Sequence, residues 1–261
     1  MRNSVWQVLT AILLLVALAG LSGCGGSGSG GTGADSSAGV LTLAVNKTVA
    51  ASGTDTVSAT VTLTSLNSQP VNGVTVNVDM IYNGTVIATY SGNTNTSGVV
   101  LIPVPIGLVP ADRTVYLQAK SSGITSSSSV AIAVKAPVLT VTLANASVTD
   151  VAGVTFTGAG VRFADFNGNG IANTVITFTY TSNSGSAGTL AHLGAPLAVG
   201  NSFTVTTDST GYATIALDGA INVMPPSGGS DSTTFNYTVS VVYGAYTYTK
   251  QGSVTVTVTS T

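Results

Sequence analysis

Asp165, Asn167 and Asn169 stand at alternate positions, and Gly170 follows them. Oxygen ligands at positions one, three and five with glycine at six are how a calcium-binding loop begins. Such a loop ends on a bidentate glutamate at position twelve, and here that position is Ile176. The residues after it read as a strand, so the preferred reading is a hairpin turn, in which Asn and Gly tolerate positive φ. No metal is assigned to Asp165, Asn167 or Asn169. His192 is the single histidine. To act in catalysis it needs a nucleophile and an orienting carboxylate folded beside it. Ser184-Gly185-Ser186 offers hydroxyls in a glycine-rich stretch, without the Gly-x-Ser-x-Gly elbow. A glycosidase needs two carboxylates at a set separation. Asp208 and Asp218 are the nearest pair to His192 on its C-terminal side, and Asp208 sits in a turn pattern. These counts point away from an enzyme, and no catalytic residue and no cofactor are assigned.

Tyrosines are densest between Tyr237 and Tyr248, where Tyr243-Gly244-Ala245-Tyr246 has the form of a hairpin apex. Exposed aromatics stack on sugars or anchor a protein partner. Tyr243, Tyr246, Tyr248 and His192 are therefore the candidate ligand contacts. Cross-strand aromatic pairs also stabilise hairpins, and that structural role is preferred.

The elements that carry these residues must form with little charge. Charged residues are 6% of the chain, there is no glutamate, and the formal net charge is −2. Lys47, Arg113, Lys120, Lys135, Arg162 and Lys250 are scattered, so the phosphate-neutralising patch that nucleic acid requires is missing. Hydrophobic residues make up 44%, too many for a disordered chain. Val57, Ala59, Val61 and Leu63 alternate with hydroxyl-bearing residues, as do Val74, Val76 and Val78, and Val254, Val256 and Val258. Period-two alternation describes strands with one buried face. The fold expected is all-β, with tandem sandwiches held by hydrophobic cores alone, since Cys24 is the sole cysteine.

Ahead of Cys24 stand Arg2, an apolar run from Val8 through Ala19, and then Leu21-Ser22-Gly23. This order is that of a secretory signal peptide. Leu21-Ser22-Gly23-Cys24 resembles the lipobox of bacterial lipoproteins. The resemblance implies cleavage before Cys24, acylation of that cysteine and attachment to a membrane through it. Gly25 in the next position implies the outer membrane. Two or more acyl chains anchor stably where one does not. The following stretch, 24–38, is rich in glycine and serine and reads as a flexible tether with a reach of ~20 Å.

Beyond the tether the chain repeats. Asn67-Ser68-Gln69-Pro70-Val71-Asn72-Gly73 matches Asn167-Gly168-Asn169-Gly170-Ile171-Ala172-Asn173 at an offset of 100 residues. Thr94-Asn95-Thr96-Ser97-Gly98 matches Thr207-Asp208-Ser209-Thr210-Gly211, and the strand at Val130 matches that at Val254, at growing offsets. Two related units are expected over 39–136 and 137–261, the second with loop insertions around 182–201 and 218–232. Asp165 to Gly170, together with Thr207-Asp208-Ser209-Thr210-Gly211-Tyr212-Ala213-Thr214-Ile215-Ala216-Leu217, resembles bacterial Ig-like domains of the invasin–intimin type (group 1). The resemblance implies stalk or spacer modules of surface proteins. The function expected is that of a lipid-anchored cell-envelope protein with a non-catalytic structural or adhesive role, presenting Ig-like domains for surface binding. The alternatives are a periplasm-facing accessory subunit of an outer-membrane complex and a carbohydrate-binding module. The protein or glycan ligand and the oligomeric state are not read from the sequence.

Overall fold

In a computed structural model of the chain, the structure describes residues 39–124 and 126–261. The signal segment, Leu21, Ser22, Gly23, Cys24 and the tether lie outside the described residues.

Alternating side chains with β-branched and hydroxyl-bearing residues make strands along nearly the whole described chain. The N-terminal sandwich contains β1 (Gly39–Val45), β2 (Val49–Ala51), β3 (Thr56–Ser65), β4 (Thr75–Tyr82), β5 (Thr85–Asn93), β6 (Val99–Pro105), β7 (Arg113–Lys120) and β8 (Val130–Lys135). One sheet runs β1-β3-β6 and the other β2-β8-β7-β4-β5. In β3, Val57, Ala59, Val61 and Leu63 are fully buried, as the alternation requires. The β4–β5 hairpin closes through Asn83-Gly84, both at positive φ, as a two-residue type I′ turn demands.

The C-terminal sandwich contains β9 (Val138–Thr142), β10 (Ala146–Thr149), β11 (Gly153–Thr155), β12 (Gly160–Ala164), β13 (Val175–Gly185), β14 (Gly188–His192), β15 (Ala195–Leu197), β16 (Ser202–Thr206), β17 (Tyr212–Thr214), β18 (Leu217–Ile221), β19 (Ser230–Tyr243) and β20 (Tyr246–Thr259). Its sheet β17-β12-β9 repeats β6-β3-β1, and β10-β20-β19-β13-β16 repeats β2-β8-β7-β4-β5. The first strand of each unit crosses between sheets, so that β2 lies parallel to β8 and β10 parallel to β20. This strand order is that of an immunoglobulin-like sandwich.

The two insertions are not the loops that the repeat offsets suggest. Residues 182–201 supply the outer end of β13 and all of β14 and β15, and residues 218–232 supply most of β18 and the start of β19. Together with β11 they build a further sheet, β11-β18-β14-β15. The reason is local: Leu190 finds full burial in the C-terminal core, and pairing with β18 satisfies the backbone on either side of it.

The two cores differ in kind. The buried N-terminal core is aliphatic throughout, with Val, Ala, Leu, Ile and Met80. The C-terminal core adds Phe163, Phe178 and Phe235, each at most 1% exposed, and Tyr180, Tyr237 and Tyr248. Each fully buried Val, Leu, Ile or Phe contributes about 1.5–3 kcal/mol, which lets both stand without disulfides.

Candidate functional site at the junction of the two sandwiches

The turn at Asp165 is built by its own side chain. The Asp165 carboxylate accepts from the Asn169 backbone N–H at 2.8 Å and the Asn169 amide at 3.0 Å, and the Gly168 N–H donates to the Asp165 carbonyl. Gly168 takes positive φ, as such a turn requires. A carboxylate engaged in this way is turn machinery, and its second oxygen reaches across the junction: Thr54 Oγ1 donates to Asp165 Oδ2 at 3.0 Å. Asn167 Nδ2 approaches Asp55 Oδ1 at 3.4 Å, and Lys47 pairs with the same Asp55 at 2.9 Å. Asp165 is 3% exposed. Burial alone raises its pKa, but hydrogen bonds from Asn169, Thr54 and the Asn167 backbone outweigh burial and hold it below the usual carboxylate value. Among the described residues no group of three or more His, Cys, Asp or Glu side chains is arranged to hold a metal ion.

The tyrosine apex meets the same junction. Tyr243 and Tyr246 pair across the two-residue turn Gly244-Ala245, with Gly244 at positive φ. Tyr248 is buried, and its hydroxyl donates to the Val109 carbonyl of the N-terminal sandwich at 2.8 Å. Tyr243 and Tyr248 both pack on Phe163 at 5.5 Å between ring centres. Leu108 fills the space between Gly53 and Gly244: a Cβ on either glycine would lie 2.4 or 2.6 Å from a Leu108 methyl carbon. The glycines are small because the sandwiches meet there.

His192 lies elsewhere, stacked flat on Phe203 at 3.6 Å between ring centres. Its Nδ1 is 2.8 Å from the Ala216 carbonyl, which can only accept, so Nδ1 carries the proton. Asp208 is consumed by a turn: one oxygen accepts from the Thr210 N–H, the Thr210 hydroxyl and the Tyr212 N–H. Asn95 does the same in the first unit, accepting from the N–H groups of Ser97 and Val99. Asp218 accepts from the Thr155 hydroxyl at 2.6 Å. Ser184 pairs with Thr234 within the sheet. A shallow groove of about 480 Å³ on the β19–β20 face is lined by Thr181, Asn236, Thr238, Gln251 and Ser253, all uncharged.

The structure thus brings Asp165, Asn167, Tyr243 and Tyr248 together at one junction and leaves His192 apart. Gly53, Thr54, Leu108 and Val109 are junction residues that motif reading passes over. Their signal was faint: Leu108-Val109-Pro110 and Val223-Met224-Pro225 occupy the same interstrand loop of the two units.

No known family profile matches the chain, and no curated protein matches it either. Solved structures similar to it include invasin, a bacterial integrin-binding protein, at TM-score 0.37 and 16% identity over 80% of this chain and 38% of that one. Domains 4 and 5 of the S-layer protein SbsC give TM-score 0.30 and 15% identity over 84% of this chain and 98% of theirs. The native E. coli alpha-2-macroglobulin gives TM-score 0.32 and 12% identity over 86% of this chain. The chain spans only 14% of that macroglobulin.

Proposed function

We propose that the chain is a lipid-anchored protein of the cell envelope with a non-catalytic structural or adhesive role. In this reading acylated Cys24 holds it to the outer membrane, the tether clears the headgroups, and the sandwiches carry the far end outward. The observation that carries the reading is the docked junction. Leu108 between two glycines, the buried Tyr248–Val109 hydrogen bond and the Thr54–Asp165 bond tie both units into one compact body. A spacer that transmits position needs such a joint, whereas a flexible linker between modules gives away orientation.

Protease shaving of intact cells, with released peptides read by mass spectrometry and a periplasmic control monitored, tests it. Release of peptides from 139–261 while the control stays whole is the expected result. Protection until the envelope is opened turns the reading toward an inward-facing accessory subunit. Labelling with a radioactive fatty acid, expected to vanish in Cys24→Ser, tests the anchor separately.

A further inference from the structure

The surface that seats the C-terminal sandwich is made by two loops of the N-terminal one. Loop 52–55 follows β2, loop 106–112 joins β6 to β7, and they are stitched together by the Gly53 N–H on the Ile106 carbonyl and the Val109 N–H on Ser52 Oγ. The C-terminal sandwich repeats both loops at its far tip. Loop 150–152 follows β10, loop 222–229 joins β18 to β19, and the Ile221 N–H bonds the Ala152 carbonyl. Ile106 and Ile221 are both buried where their loops leave the strands, and Leu108 and Val223 each stand two residues further on. Among the described residues no sandwich packs on this tip. Val151 is 49% exposed, Val223 73% and Met224 38%, which puts three exposed apolar side chains on two adjoining loops of one tip.

The turn of the complementary surface is repeated too, whereas the tight Tyr243–Tyr246 apex is not, since residues 121–129 join β7 to β8. Turn 165–170, which docks on Thr54 and Asp55, has its counterpart in turn 65–70. The Ser65 N–H bonds the Gln69 carbonyl, the Ser68 N–H bonds the Ser65 carbonyl, and the Gln69 N–H bonds Ser65 Oγ. Asp165, Gly168 and Asn169 make the same three bonds. Leu66 holds the place of Phe166 and is 69% exposed.

We propose that the tip formed by Val151, Val223 and Met224 is a second socket, and that its occupant is the 65–70 end of the N-terminal sandwich of a second copy of this chain. The internal junction is the template for this contact: Leu108 of the interstrand loop sits between Gly53 of its own sandwich and Gly244 of the incoming hairpin, while the incoming turn meets Thr54 and Asp55 of the neighbouring loop. The inference does not depend on lipid attachment, because the tip lies at the end of the C-terminal sandwich away from the junction.

The free turn of this chain supplies the probe. Residues 36–261 hold both cores and form one compact unit, so this piece serves both as immobilised socket and as soluble ligand. The expected result is saturable, micromolar capture of the soluble piece on the immobilised one. Val223→Asp in the immobilised piece and Leu66→Asp in the soluble piece should each weaken capture at least tenfold. Thermal melts matching the parent show that these exposed substitutions leave both sandwiches folded. Absence of capture at 100 μM soluble piece (roughly −5 kcal/mol), or capture indifferent to Val223→Asp, overturns the proposal. Capture that Val223→Asp in the soluble piece abolishes and Leu66→Asp does not is tip-to-tip pairing, and overturns it as well.

Discussion

Turns 65–70 and 165–170 share a backbone, a register and three hydrogen bonds, yet among the described residues only the second bonds to the neighbouring sandwich. What differs is the side chain at the first position. Ser65 caps its turn with one hydroxyl, whereas Asp165 has two oxygens and spends the second on Thr54 of the neighbouring sandwich. A longer, charged acceptor turns a local cap into an intermodular bond, since charged acceptors make the stronger hydrogen bonds. The comparison teaches that the same three bonds close the turn whether or not its first side chain reaches a neighbouring sandwich.

The largest effects should come where both units are alike. A Cβ on Gly98 would lie 2.4 Å from the Leu63 carbonyl oxygen, and one on Gly211 would lie 2.3 Å from that of Phe163, both at positive φ. Gly98→Val and Gly211→Val should each destabilise their own sandwich by about 3 kcal/mol or more. Calorimetry should show a different half of the molecule melting early in each variant; identical thermograms would mean that the units do not unfold separately.

Asp165→Ala separates the two turns. It removes three hydrogen bonds at a buried site and leaves the Asn169 N–H without its acceptor, at an expected loss of about 2 kcal/mol in urea unfolding. Tyr248→Phe removes only the buried hydroxyl bond to Val109 and should lower stability by about 1 kcal/mol. Its more telling effect is on the joint: small-angle scattering should report a broader distribution of end-to-end distances, with both cores intact by circular dichroism.

Acid sharpens the contrast further. Burial raises the Asp55 carboxyl, but the Ala51 N–H, Lys47 and Asn167 more than offset it and leave its pKa lowered, as at Asp165. A folded state that binds these protons less tightly than the unfolded chain is favoured at higher pH. The stabilisation is complete above about pH 4 and fades as pH falls through the lowered folded values. Junction opening on acidification should therefore begin below about pH 4 and be shallower in Asp165→Asn. Ser65→Ala, the smallest change, should shift the unfolding midpoint by less than about 0.5 kcal/mol, because its bond is exposed.

Much of this was legible in the residues. Alternation gave the buried faces of β3, β4 and β20, and the 100-residue offset placed equivalent turns in equivalent hydrogen-bond patterns. The β14–β15 hairpin escaped notice because its turn is Leu193-Gly194. Both residues hold positive φ, and leucine there carries none of the Asn or Asp chemistry that announces such a turn. The junction was hidden for another reason. Leu108 and Tyr248 are 140 residues apart in sequence, and nothing local to either reveals that a glycine from each sandwich leaves room for the leucine. The Asp-x-Asn-Gly-Asn spacing reads as a turn, and the Asp165 carboxylate both closes that turn and accepts from Thr54 of the other sandwich.

The parallel pairing of β2 with β8 and of β10 with β20 has a mechanical consequence. In each sandwich an early strand lies alongside the last, Val49 to Ala51 against Ala133 to Lys135, and Ala146 to Thr149 against Val256 to Thr259. Tension drawn between the two ends of a unit pulls these partners in opposite directions along their length. The ladder bonds run across that direction and must yield together under shear instead of peeling one at a time. Resistance to such a load is set by the unfolding barrier and not by equilibrium stability. The same duplicated clamp would let a pull at the tip pass through both sandwiches in series before either one opens.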